Sequence, residues 1–294
     1  MAFMKKKVSA RRQHVRKTKS AEKFARFSKF INGELPAAIG ILTIFVVGAT
    51  VILSVNTYNV DDHFWQPETP LFKAYPEIIA LSGIVLLISF GMATYLFHYK
   101  PLVVSKPSKA MALAGLFLVL LTLSKVGSLY PEWIYLSTGW AVTSALILTI
   151  AYDQRFAIGM TLFYCLLACF AAAEDIASIK MFLTMIAGSI TCCFCLKEIR
   201  TRMKLIEVAV LAAASVFVVA GAIGILEGLT PEDIFITSGL PAATTLLIGL
   251  IIQGFLPLIE KIFRIATSMT LLDYSDANQP LLKKLAMEAP GTFS

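Results

Sequence analysis

The chain has 294 residues, of which 57% are hydrophobic and only 15% charged, and its mean hydropathy is +0.75. One soluble core of this size cannot hide that much apolar surface, and so few charges exclude a disordered chain. The net charge of +7 is unevenly placed, because residues 1–35 hold eleven Lys and Arg against two acids while residues 36–294 hold 15 basic and 17 acidic residues.

Residues 1–35 are therefore a basic tail beside the first apolar run. Next to a membrane such a tail reads as a cytoplasmic anchor on anionic lipid, not as an arm for nucleic acid. Within it Phe24, Phe27, Phe30 and Ile31 recur at helical spacing, with Lys23, Arg26 and Lys29 between them. That pattern predicts a short amphipathic helix in the interface.

A bilayer span needs about 20 apolar residues. Eight segments qualify: Pro36–Val55, Ile78–Phe97, Met111–Tyr130, Trp133–Tyr152, Phe156–Ala173, Ala177–Leu196, Leu205–Leu226 and Ile234–Leu258. The first is full length and is followed by no small-residue cleavage site, so it reads as a span and not a signal peptide. Lys and Arg collect on the cytoplasmic side of membranes. The loops at Lys100–Lys109, Asp153–Arg155 and Lys197–Lys204 are basic or mixed, whereas those at Asp61–Glu77, Pro131-Glu132, Glu174-Asp175 and Glu227–Asp233 are acidic or nearly uncharged. The expected architecture is an all-α polytopic bundle of about eight spans over 36–258, with both termini in the cytoplasm. The expected location is a bacterial cytoplasmic membrane.

Irregularities inside the spans are few. Lys125 is the only charge well inside one and lies near its outer end, which suits either snorkelling to the interface or an anion site. Gly239-Leu240-Pro241 is expected to kink the last span, and Gly221 and Gly224 to allow close helix packing. Cys165, Cys169, Cys192, Cys193 and Cys195 all lie in apolar stretches, where they read as small apolar residues and imply neither a disulfide framework nor a metal site. His14, His63 and His98 are scattered. The sequence holds no HExxH, phosphate-loop or nucleophile-elbow motif. No catalytic residue, metal ligand or cofactor is expected in the bundle.

The last forty residues differ from the rest. The eighth span turns amphipathic as it leaves the membrane through Pro257, Glu260 and Phe263. Leu271-Leu272-Asp273 follows. A short helix is then predicted from Asn278 as N-cap, with Pro280 in its first turn, an apolar stripe of Leu281, Leu282 and Leu285, and a stop at Pro290-Gly291. The stripe needs a partner surface. Residues 259–294 thus form a cytoplasmic linker.

This run resembles the junction between membrane bundle and catalytic domain in the seven-transmembrane HD-domain phosphohydrolases. The matching positions are Leu256, Pro257, Glu260, Phe263, Leu271, Leu272, Asn278, Pro280, Leu281, Leu282, Leu285, Glu288, Ala289, Pro290, Gly291 and Thr292. The resemblance implies a bundle that feeds a cytoplasmic HD domain, in cis or in trans, which hydrolyses a cyclic dinucleotide such as cyclic di-AMP with divalent metal. It also implies that these residues, Leu256 and Ala289 apart, couple bundle to catalysis. Two departures stand out. The large extracellular domain usual after the first span is replaced by about twenty residues, and the HD domain with its His and Asp metal ligands lies beyond Ser294. Gln279 also stands where the family has His. The expected role is membrane anchoring and signal input without catalysis. The rivals are a small-molecule transporter or channel, for which only hydroxyls such as Thr143, Ser144, Thr244 and Thr245 are available, and a scaffold that docks a separate hydrolase.

Overall fold

The computed structural model describes residues 35–56, 72–104, 106–130, 133–172, 177–196 and 202–263. Nine helices follow one another among them: α1 Leu35–Ser54, α2 Tyr75–Tyr99, the single turn α3 Pro101–Val104, α4 Pro107–Ser128, α5 Leu136–Ala151, α6 Gln154–Ala172, α7 Ala177–Cys195, α8 Arg202–Leu226 and α9 Pro231–Phe263. The eight long ones answer one to one to the eight expected segments. The tail helix expected around Phe24–Ile31 and the segment from Leu271 to Thr292 lie outside the described residues.

Proline marks several helix starts: Pro107 and Pro231 open α4 and α9, and Pro76 sits in the first turn of α2. Proline has no N–H to lose there, and its φ is already helical. At the start of α9 the Thr230 hydroxyl accepts a bond from the Asp233 amide at 3.3 Å and donates to the Asp233 carboxylate at 2.7 Å, a reciprocal cap of the first turn. The preceding turn is equally defined. Gly228 takes φ +70°. Its amide donates to Ile225 O at 3.1 Å and the Leu229 amide to Gly224 O at 3.2 Å. This is the Schellman pairing, which satisfies the last carbonyls of α8 and needs the left-handed conformation that glycine adopts freely.

Six of the helices are long and apolar enough to cross a membrane, while Leu136–Ala151 and Ile179–Cys195 are shorter. The expected start of the fourth span at Trp133 moves to Leu136, because Trp133 closes a tight turn on Tyr130 O at 2.9 Å. α5 is then only 16 residues, about 24 Å. It is also the most enclosed helix, with eleven residues buried, and it packs on α4, α6, α7 and α9. Side chains as small as Ser137, Thr138 and Gly139 line it. α6 lies beside it and touches α2 and α4 as well, α1 leans on α2 and α4, and α8 bridges α7 and α9. On the periphery, Ile44, Leu87, Phe90, Val218 and Leu247 are exposed, as expected of faces solvated by lipid rather than water.

Polar contacts join helix ends in a consistent pattern. Tyr95 Oη donates to Arg155 O at 2.7 Å and Lys100 pairs with Asp153, both at one end of the bundle. Ser128 Oγ donates to Ala171 O at 3.0 Å and Lys180 pairs with Glu227, both at the other. The first end also carries Lys106, Lys109, Arg202 and Lys204, and is the basic end. The second carries Glu77, Glu227, Glu232 and Asp233, and is the acidic end. The long first loop returns on itself through a bridge between Val55 and Phe72 and a bond from the Lys73 amide to Ser54 O at 2.9 Å.

This alternation predicts a labelling result. Cysteines placed singly at Lys106 and Leu229, with the partly accessible Cys195 replaced by Ser, should react with an impermeant maleimide from opposite sides of the membrane. The other four cysteines are buried and contribute little background. Labelling of both positions from one side would break the count of crossings between them.

Candidate functional site

Two regions carry the polar chemistry of the bundle. The first is the exit of α9. The helix runs unbroken through Gly239-Leu240-Pro241 and on to Phe263, 33 residues or about 50 Å. Pro241, where a kink is expected, lies within the continuous helix. Thr245 Oγ1 donates to Pro241 O at 2.7 Å, and Thr244 Oγ1 donates to Pro241 O at 2.9 Å and to Tyr135 O at 3.2 Å, which ties the stretch to the turn before α5. Among the residues of α9 whose side chains are described, Ile248 and Ile252 are the last buried hydrophobics, and Phe255, Leu258 and Lys261 beyond them are exposed. Pro257, Glu260 and Phe263 fall on the last turns of α9. The other residues of the expected coupling segment, Leu271 to Thr292, lie outside the described residues.

The second region lies at the acidic end and was not singled out by the sequence. A cavity of about 280 Å³ opens between α5, α7, α8 and α9. Lys180, in the first turn of α7, forms an ion pair with Glu227, the residue that caps α8, and both line the cavity. The Schellman turn at Gly228 fixes Glu227 there. The pair is only half covered, with side chains 46% and 28% exposed. The walls include Met181, Ile223 and Pro241, and the hydroxyl-bearing Tyr135, Thr138, Thr184 and Thr237. Thr184 Oγ1 donates to Met181 O at 2.9 Å and Thr237 Oγ1 to Asp233 O at 2.7 Å. Thr138 is 2% exposed.

Lys125 is covered by protein, 4% exposed, on α4 among Leu121, Ser124 and Ser128. Near it Ser124 Oγ and Tyr164 Oη share a bond of 3.0 Å between α4 and α6. It joins neither the cavity nor the α9 exit. Of the hydroxyls weighed for a transport path, Thr143 donates to Gly139 O at 3.0 Å and Ser144 to Ala141 O at 2.7 Å. The cysteines are free thiols, four of them buried. Among the described residues no three His, Cys, Asp or Glu side chains come together to hold a metal ion. Of the two glycines expected at close contacts, Gly224 has Ile234 Cγ1 3.1 Å from the place of its missing Cβ, whereas Gly221 has only ordinary contacts.

With this geometry in hand, comparison with known proteins is informative. The family described as "7TM receptor with intracellular HD hydrolase" matches residues 75–267, a span that holds α2 and α4 to α9, seven long helices, with α1 before it. The chain is 23% identical over 231 residues to the cyclic-di-AMP phosphodiesterase PgpH of Bacillus subtilis (strain 168), covering 72% of this chain and 32% of that protein. It is 48% identical over 40 residues to the protein of the same name from Listeria monocytogenes serotype 1/2a (strain 10403S), covering 14% of this chain and 6% of that protein. The chain thus spans a third or less of the curated relatives it matches. No solved structure matches it.

Proposed function

Since the chain belongs to the family of 7TM receptors with an intracellular HD hydrolase, we propose that it is the membrane-anchoring and signal-input region of a metal-dependent phosphohydrolase acting on cyclic dinucleotides. In this reading none of its own residues performs the hydrolysis. Two relatives are named as cyclic-di-AMP phosphodiesterases, which supports the substrate class. In this reading the hydrolytic chemistry belongs to the HD domain, where metal would polarise phosphate and supply hydroxide.

The observation that carries the reading is α9. One continuous helix starts at the acidic end and runs on to Phe263 at the basic end, where Phe255, Leu258 and Lys261 are exposed. Lys and Arg favour the cytoplasmic side, so the basic end, the N-terminal tail and the linker 259–294 are placed in the cytoplasm of a bacterial inner membrane. The tail then meets anionic lipid. Pro257, Glu260, Phe263 and the residues from Leu271 to Thr292 form the coupling segment between bundle and HD domain.

The test is a fusion. The chain alone, with manganese, should hydrolyse cyclic di-AMP at background, and the chain joined to the HD domain of the Bacillus subtilis relative should hydrolyse it. One residue inserted after Phe263 turns whatever follows by about 100° if the helix continues, and should change the fusion's rate several-fold. Equal rates with and without the insertion would make 259–294 a passive tether. Turnover by the chain alone that survives metal exchange and repurification would overturn the non-catalytic assignment.

A further inference from the structure

The cavity at the acidic end has three properties that together specify a ligand. Its rim carries one positive and one negative side chain from different helices, Lys180 and Glu227. Its walls are largely apolar, with Met181, Ile223 and Pro241 among them. Its lining includes the hydroxyl-bearing Thr138, a residue 2% exposed.

A ligand with one charge would engage one member of the pair and leave the other uncompensated in a half-buried place, which is unfavourable. A dipolar ligand replaces both halves of the pair at once. The volume of about 280 Å³ lies at the lower edge of small-molecule sites. A site of that size suits a ligand as small as an amino acid with a mid-sized apolar side chain. We propose that this cavity binds a small zwitterion with an apolar body, of the size and chemistry of a free apolar α-amino acid. Lys180 would take the carboxylate, Glu227 the ammonium, Met181 and Ile223 the side chain, and Thr138 a further hydrogen bond.

The proposal rests on the input reading above and names its ligand class. Thr237 and Pro241 belong both to the cavity and to α9, so a ligand there touches the helix that leaves at the other end. A zwitterionic lipid headgroup shares the same chemistry, and the experiment separates the two sources.

The full chain is placed in nanodiscs of phosphatidylglycerol alone and titrated with L-leucine by calorimetry. Leucinamide, which lacks the carboxylate, and isovalerate, which lacks the ammonium, serve as controls. L-leucine should bind saturably and each control at least about tenfold more weakly, the loss of one charge-assisted bond. Lys180→Ala and Glu227→Ala should each weaken leucine about tenfold, and Thr138→Val about fivefold. The double exchange K180E/E227K keeps an ion pair for folding and should still lose binding. If leucine binds only in the absence of phosphatidylethanolamine, the headgroup competes for the same zwitterion site and the site stands. Leucine binding that is unchanged in the variants, or matched by the controls, overturns the proposal. So does no leucine binding in phosphatidylglycerol. Hydrolysis by the HD fusion is read separately. Binding without any change in rate leaves the site and removes the input reading, and a rate that responds to the insertion after Phe263 without leucine binding does the reverse.

Discussion

Gly249→Leu should prevent the bundle from holding its native packing, with a loss of about 3 kcal/mol or more. Among the described residues α8 and α9 share the most extensive helix contact, and Gly249 is a close approach of α9 to α8. A Cβ built there collides with the Cβ of Ala209 on α8 and lies 3.5 Å from the Ala209 Cα. Alanine has no rotamer by which to move aside, so the backbones must separate, and close approach through small residues is what holds helices together in lipid. Gly139→Ala is the control. Its Cβ would meet the terminal Cδ1 of Ile248, a flexible end that can turn away, and helix propensity gains up to about 1 kcal/mol on replacing glycine. That variant should unfold within a degree or two of the parent. Thermal unfolding in bicelles measures both. Equal midpoints for all three proteins would mean that the α8–α9 contact is not tight.

Tyr164→Ala should cost about 3–5 kcal/mol, the range for deleting a large buried aromatic. Tyr164 is fully buried on α6, stacks on Phe117 with ring centroids 5.7 Å apart, and shares its hydroxyl with Ser124 at 3.0 Å. The void left between α4 and α6 would not be refilled by lipid, because the site is enclosed by protein. Tyr164→Phe keeps the ring and leaves only Ser124 without its partner, at a cost of about 1–2 kcal/mol. A Phe variant as unstable as the Ala variant would assign the stability to the hydroxyl rather than to the ring.

The helices were legible because each depends on a local quantity, a run of apolar residues long enough to cross lipid. The ends of the bundle were legible from charge, since Lys100 and Asp153 fall at one end and Lys180 and Glu227 at the other simply by alternation. Tertiary burial was not legible. Hydropathy treats α5 like its neighbours, yet its Ser and Thr face protein while the apolar residues of α1 and α2 face outward. Lys125 reads from sequence as a residue within reach of the interface, and the structure covers it. The glycines that matter most, Gly188 and Gly249, have no local mark. A Cβ on Gly188 would lie 2.7 Å from Val216 and 2.9 Å from Val142, neighbours from two other helices. The cavity could have been anticipated: Lys180 opens α7 and Glu227 ends α8, and consecutive antiparallel helices bring such positions to the same end.

The brevity of α5 has a consequence for how the chain is made. A helix of 16 residues is shorter than the roughly 20 that a translocon accepts as an autonomous span. α5 has almost no lipid-facing surface with which to partition sideways. Its entry into the membrane must be carried by others, first by α6, which follows after the two residues Tyr152 and Asp153 and packs along it. Because α5 also packs on α7 and α9, its final seat exists only after the C-terminal half has been synthesised. Biogenesis of this protein is therefore partly post-insertional. Ribosome-stalled chains ending before α7 should leave α5 accessible to protease or to chaperones, and chains that include α9 should not.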